Sequence, residues 1–215
     1  MSADVVLLAA VVATAGVALL DWWAVARRHR RTEGWAKPAV MVGLLAVALA
    51  LGAADSTAGR LVLVALVLGM VGDVLLLEDT EPRFLGGLAA FLVGHLAWVG
   101  AFVASGLDRP GLAWVGAAVL VVALAAGRRI LPAALAEGGV VLAGAVAAYM
   151  VVIGAMAVLG WATGDVLVGL GAALFVVSDT VLALGKFVRE RPWTRPVVVV
   201  TYHLAQAFLV AGLVG

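Results

Sequence analysis

The stretch Leu61-Val-Leu-Val-Ala-Leu-Val-Leu-Gly-Met-Val-Gly-Asp73-Val-Leu-Leu-Leu77 is apolar throughout except for one carboxylate. It has no polar stripe and no alternation, so it reads as a helix surrounded by lipid or by other helices. Its length lies at the lower end of the roughly 17 to 25 residues that cross the hydrocarbon of a bilayer. A membrane interior tolerates a carboxylate only where something is gained by it. Hydrophobic length therefore decides the fold here, and Asp73 marks where to look for chemistry.

Working outward, the same reading applies along the chain. Of 215 residues, 65% are hydrophobic and 13% charged, with a mean hydropathy of +1.18, far outside the soluble range. Eight spans are expected, at 5–26, 38–54, 61–77, 84–103, 111–127, 139–161, 166–184 and 197–213. Short connections at 55–59, 78–82, 108–111 and 189–192 hold the Gly, Pro, Asp and Ser residues of turns. None is long enough to separate soluble domains. The fold class is all-α, a polytopic membrane helix bundle forming one integral membrane domain over 1–215. A second intramembrane aspartate, Asp179, lies in the seventh span.

Orientation follows from the basic residues. Arg27, Arg28, Arg30, Arg31, Lys37, Arg83, Arg128, Arg129, Lys186, Arg189, Arg191 and Arg195 fall in odd-numbered loops, whereas the even-numbered loops carry only Arg60 and Arg109. This bias is expected to put the odd loops in the cytoplasm and both termini outside. The one-sided charge suits the anionic cytoplasmic leaflet of the cell membrane and implies no nucleic acid partner. The first span lacks a basic n-region and is followed by Arg27 to Arg31, so it reads as an uncleaved helix. The chain has no cysteine, which removes disulfides and thiolates from consideration. The 26 glycines read as close-packing residues.

Depth then groups the polar residues. At about 1.5 Å per residue, Asp73 lies roughly 6 Å and Asp179 about 8 Å inside the cytoplasmic edge. Tyr202, His203 and Gln206 lie roughly 8 to 14 Å deep, with His95 near the midplane at about 17 Å. A cavity open to the cytoplasmic half is expected. Phe84, Gly87, Phe91 and His95 share one helix stripe, and Asp179 and Lys186 lie two turns apart on one face. The third and seventh spans share a [GS]-Asp-leucine pattern, each followed by a histidine on the next span. This is a weak four-plus-four parallel repeat. Asp165 reads as an N-cap, and Asp21 is expected to snorkel or to pair with Arg27 or Arg28.

Several fragments together resemble the lysoplasmalogenase (YhhN-like) family of eight-helix integral membrane proteins. They are Lys37-Pro38, Gly72-Asp73 with Leu75 and Leu76, and Phe84-x-x-Gly87-Leu88-x-x-Phe91-x-x-x-His95. Ser178-Asp179-x-x-Leu182-Ala183-x-x-Lys186-Phe187 and Tyr202-x-x-Ala205-Gln206 follow in order. One departure is His203, where a second tyrosine is expected. The resemblance implies hydrolysis of the vinyl-ether bond of a lysophospholipid, releasing a fatty aldehyde and a glycerophospho-base. That chemistry needs a proton donor and a carboxylate to stabilise an oxocarbenium ion or to activate water. Asp73 and Asp179 are the candidates, by analogy with the paired carboxylates of glycosidases. Lys37, Arg83 and Lys186 are candidate phosphate ligands, and His95, Tyr202, His203 and Gln206 are candidate substrate-binding groups.

Ser178 points about 100° away from Asp179, which disfavours a serine hydrolase built from that pair. A metal-dependent amidase typically needs three histidine ligands, but only His95 and His203 are intramembrane, so no metal and no cofactor is expected. A proton-coupled transporter is the alternative function, although it would carry polar groups into both leaflets. The expected partners are a lysophospholipid and the lipid bilayer. The sequence carries no mark of oligomeric state.

Overall fold

The computed structural model describes residues 3–78 and 80–215. Asp79, in the expected connection at 78–82, lies outside the described residues, as do Met1 and Ser2. Among the described residues there are eight α-helices and no strand. In lipid every backbone N–H and C=O must be satisfied within its own segment, so apolar spans of this length fold as helices. They are α1 (Ala3–Ala26), α2 (Arg30–Ala50), α3 (Thr57–Leu75), α4 (Glu81–Ser105), α5 (Ala113–Ala126), α6 (Ile130–Ala162), α7 (Val166–Ala183) and α8 (Thr194–Val214). The chain is an integral membrane helix bundle.

Seven of these helices are long and apolar enough to cross a membrane. The exception is α5, where the fifth span was expected; even with its 3₁₀ lead-in it runs only from Pro110 to Ala126. The ends are set by local chemistry. Ser56 caps α3 by accepting from the Gly59 N–H at 2.9 Å, and Asp165 caps α7 by accepting from the Val168 N–H at 3.0 Å, as its position indicated. Within α6 the backbone leaves helical geometry at Gly138 and Gly139. Gly139 has φ +65° and ψ −160°, a conformation essentially confined to glycine. The expected sixth span begins at that break.

One boundary differs in a way that matters. The second span was expected to start at Pro38, but α2 starts at Arg30 and contains Pro38. Charged residues end a hydrocarbon span without ending a helix, because the helix continues through the interface. Lys37 and Glu33 therefore sit on α2 and not in a loop.

The contacts divide the chain into two compact units, 1–106 with 209–215, and 107–208. In the first, α1 packs on α2, α2 on α3, and α3 closely on α4. Glycine permits the last approach: a Cβ on Gly72 would lie 2.6 Å from the Phe91 ring, and one on Gly87 would lie 2.8 Å from Leu76. In the second, α5 packs on α6 and α7, and α6 on α7. There Ile130, Ala134 and Val146 of α6 form a buried cluster packed by Leu184 and Phe187. Those two residues belong to a π-helical turn, Leu184–Val188, that extends α7.

Candidate functional site

In the first unit the polar residues gather around Lys37. Its Nζ lies 2.8 Å from Asp73 Oδ1, and the two side chains are 14% and 1% exposed. This ion pair links α2 to α3. The expectation that Lys37 waits at the mouth for a phosphate meets a competing fact, since its ammonium already faces a buried carboxylate. The α4 stripe read from spacing lies against α3 beside that pair: Phe91 covers Gly72, and Gly87 lies against Leu76. His95 is buried and its Nδ1 donates to the Phe91 carbonyl at 2.6 Å. Arg83, partly exposed, pairs with Glu78 at 3.1 Å.

Asp21 departs from expectation. It neither snorkels nor pairs with Arg27 or Arg28: it is fully buried, and neither of its carboxylate oxygens makes a hydrogen bond. The charges acting on it are Lys37 and Glu33 of α2 and Asp73 of α3. Glu33 is buried too. The reason lies in the early start of α2, which carries two of its charged residues inward against α1.

The second unit holds the other aspartate. Tyr149 of α6 donates its phenol hydrogen to Asp179 Oδ2 of α7 at 2.6 Å. Tyr149 was missed in the sequence. Its one signal there was a polar hydroxyl within an apolar span, in a chain with only two tyrosines. Tyr202 is buried, stacks edge-on against Phe175 at 5.7 Å and acts electrostatically on Tyr149. Because Phe175 precedes Asp179 by four residues, both lie on one face of α7. His203 and Gln206 are buried on α8, and the Gln206 side-chain oxygen makes no hydrogen bond. Ser178 donates to the Val198 carbonyl at 3.1 Å, a packing bond in which its hydroxyl is occupied. Lys186 is exposed on the π-helical turn, whose wider i to i+5 pattern takes it off the α-helical phase expected from a seven-residue spacing.

Each unit thus holds a membrane aspartate with a specific partner on the preceding helix. The sequence profile of the YhhN family matches residues 33–213, a region that contains both aspartates and both partners. The chain belongs to the YhhN family. Among curated proteins it is similar to human lysoplasmalogenase TMEM86B, 38% identical over 145 residues, which covers 67% of this chain and 59% of that protein. Human lysoplasmalogenase TMEM86A is 31% identical over 169 residues, covering 76% and 68%. The bovine TMEM86A protein is 30% identical over 158 residues, covering 69% and 62%. The matched region therefore spans about six tenths of the length of TMEM86B. No solved structure matches the chain.

Proposed function

We propose that this chain is a membrane hydrolase that cleaves the vinyl-ether bond of lysoplasmalogen-type lysophospholipids, working as one domain over 1–215. The similarity to proteins named lysoplasmalogenase carries the reading. Two membrane carboxylates, each with a specific partner, support it.

In this reading Asp73 and Asp179 act on one substrate, and their partners divide the roles. Protonating Asp73 would take from the Lys37 ammonium the carboxylate that it faces at 2.8 Å, a costly change. Asp73 is accordingly the carboxylate that stays ionised and stabilises the cation. Tyr149 donates to an ionised Asp179 and accepts from a protonated one, so that pair tolerates either state. Asp179 is accordingly the acid. It protonates the β-carbon of the vinyl ether; the resulting oxocarbenium ion takes up water, and the proton that this water sheds returns to Asp179, which restores the acid. The hemiacetal collapses to a fatty aldehyde and the free hydroxyl of the glycerophospho-base. Lys186 and Arg83 serve the phosphate, while His95, Tyr202, His203 and Gln206 hold the polar part of the substrate. The site opens to the cytoplasmic half of the cell membrane, with both termini outside.

Purified protein is to be given lysoplasmalogen and, separately, its saturated-ether analogue. Aldehyde from the first and none from the second is expected. No aldehyde from the first would overturn the reading. Single cysteines placed beside Lys186 should react with an impermeant thiol reagent from the cytoplasmic side alone, and labelling from outside would reverse the orientation.

A further inference from the structure

Along α6 the residues Ala147, Met150, Val151, Gly154, Ala155 and Val158 recur at alternating steps of three and one, so they form one stripe of the helix. That stripe is one wall of a groove of about 610 Å³, and Leu120 and Leu124 of α5 supply the facing wall. Every residue lining the groove is apolar. Its volume lies within the range of about 300 to 1,000 Å³ common to ligand sites, but those sites also carry a few polar groups that fix the ligand's orientation. What fits here is an aliphatic chain without polar atoms.

The packing of α5 on α6 gives the groove its ends. A Cβ on Gly154 would lie 3.1 Å from Leu120, and one on Gly116 would run into the Ala157 carbonyl. The two helices therefore run antiparallel and touch toward the Val158 end, while α5 ends at Ala126 near the level of Tyr149. Val151 is 71% and Leu124 45% exposed, so the groove opens sideways to lipid. Its other end is polar. Met150 follows Tyr149, whose phenol holds Asp179 at 2.6 Å. Met150 and Leu131, which both line the groove, pack against the cluster of Ile130, Ala134 and Val146, as do Leu184 and Phe187 of the turn that carries Lys186. Arg128 and Arg129, both exposed, immediately precede that cluster on α6. From Ala147 to Leu159 the apolar wall then runs for about 18 Å. A carboxylate and cations at one end, with an apolar channel leading away from them, match an amphiphile that has one chain and an anionic head.

We propose that this groove seats the alkenyl chain of the lysophospholipid, with the vinyl ether at the Tyr149–Asp179 end and the tail toward Val158 and Leu159. The inference rests on the proposed vinyl-ether hydrolysis and names the part of the fold that reads chain length. A chain moving from the bilayer into the groove gains little hydrophobic energy, because lipid tails are as apolar as the groove. The groove therefore acts by position: a chain laid along it holds the reacting bond at Asp179, and orientation of that kind is a large part of catalysis. An obstruction far along the groove should then penalise long chains and spare short ones.

The test compares kcat/KM for lysoplasmalogens with octenyl and hexadecenyl chains, using wild type, Ala155→Phe and Val122→Phe. Ala155 stands about 9 Å along α6 from Tyr149, a point that a hexadecenyl chain must pass and an octenyl chain stops short of. Val122 is 69% exposed on α5 and outside the groove lining. Ala155→Phe should lower kcat/KM for the hexadecenyl substrate by at least about tenfold, the scale on which pockets discriminate by size, and leave the octenyl substrate within about twofold. Val122→Phe should change neither. Equal losses on both chains, or no loss on the longer one, overturn the proposal. A second measurement needs no variant and no turnover: a saturated-ether lysophospholipid with a diazirine at its chain end, photolysed with the wild-type protein in detergent, should label residues near Val158 and Leu159. Excess unlabelled saturated-ether lysophospholipid should suppress that labelling and diacyl phospholipid should not. Equal suppression by both would make the groove a seat for ordinary bilayer lipid and overturn the proposal. If wild type releases no aldehyde at either chain length, the vinyl-ether reading falls and the labelling decides the groove by itself. If aldehyde forms normally while Ala155→Phe keeps the wild-type chain-length preference, the inference alone falls.

Discussion

The two units solve one problem differently. Each keeps an aspartate at membrane depth and meets it from the preceding helix, but the first uses an ammonium on a fully buried carboxylate and the second uses a phenol on a partly exposed one. An ion pair fixes the charge state of both members, because neutralising either strands the other. A tyrosine hydroxyl can reverse its hydrogen bond and lets its partner change state. If the units share a reaction, that difference separates a fixed carboxylate from a group that cycles its proton.

The comparison breaks first at the aspartates. Asp73→Asn and Asp179→Asn keep shape while removing titration, and each should lower turnover by at least about a hundredfold, the scale of general acid–base catalysis. Aldehyde release by the purified variants, with folding checked by elution from a sizing column, measures it. If one variant were near normal, that aspartate would be structural and the symmetry of the two units would mislead.

The partners come next. Lys37→Met leaves Asp73 buried without its cation and should destabilise the protein by about 3 to 5 kcal/mol, as breaking a buried pair does. Tyr149→Phe removes one hydrogen bond to Asp179, worth about 0.5 to 1.5 kcal/mol, and should lower kcat with little change in KM. Thermal unfolding in detergent, read beside steady-state kinetics, ranks them. Were Tyr149→Phe the more damaging to the fold, the phenol and not the ammonium would be the structural partner.

The smallest effect is expected at His203. It stands beside Tyr202 with ring centroids 5.5 Å apart, where the family pattern suggests tyrosine. His203→Tyr should cost less than about tenfold, well under the loss expected of a general acid. A loss as deep as that of an aspartate variant would make His203 part of the second unit's chemistry.

Much of this arrangement was legible in the sequence, for identifiable reasons. Hydrophobic length located the spans, and a charge within hydrocarbon is conspicuous, so Asp73 and Asp179 stood out. Spacing put Phe91 and His95 on one stripe, and that stripe does lie against α3. Rotation about the helix axis was not legible, because helices that are apolar all round carry no stripe to show which face turns inward. Closeness in sequence points Asp21 to the basic loop, whereas in the fold it turns toward Glu33, Lys37 and Asp73. A tally of positive charges by side ignores where a helix begins, so it places Lys37 in a loop although Lys37 lies inside α2. A tyrosine in an apolar span looks like packing until its partner is known, and for Tyr149 that partner, Asp179, lies on another helix. The four-helix repeat stays at the level of a short motif; a lysine in one unit and a tyrosine in the other occupy the partner's role.

The claim that Asp73 and Asp179 act as one catalytic unit is tested most directly by a double-mutant cycle on vinyl-ether cleavage. Aldehyde release is measured for wild type, Asp73→Asn, Asp179→Asn and the double variant under one set of conditions. Groups that act together are non-additive, so the double variant should be little worse than the worse single one. Losses that multiply across the cycle would contradict the account and leave two aspartates working independently.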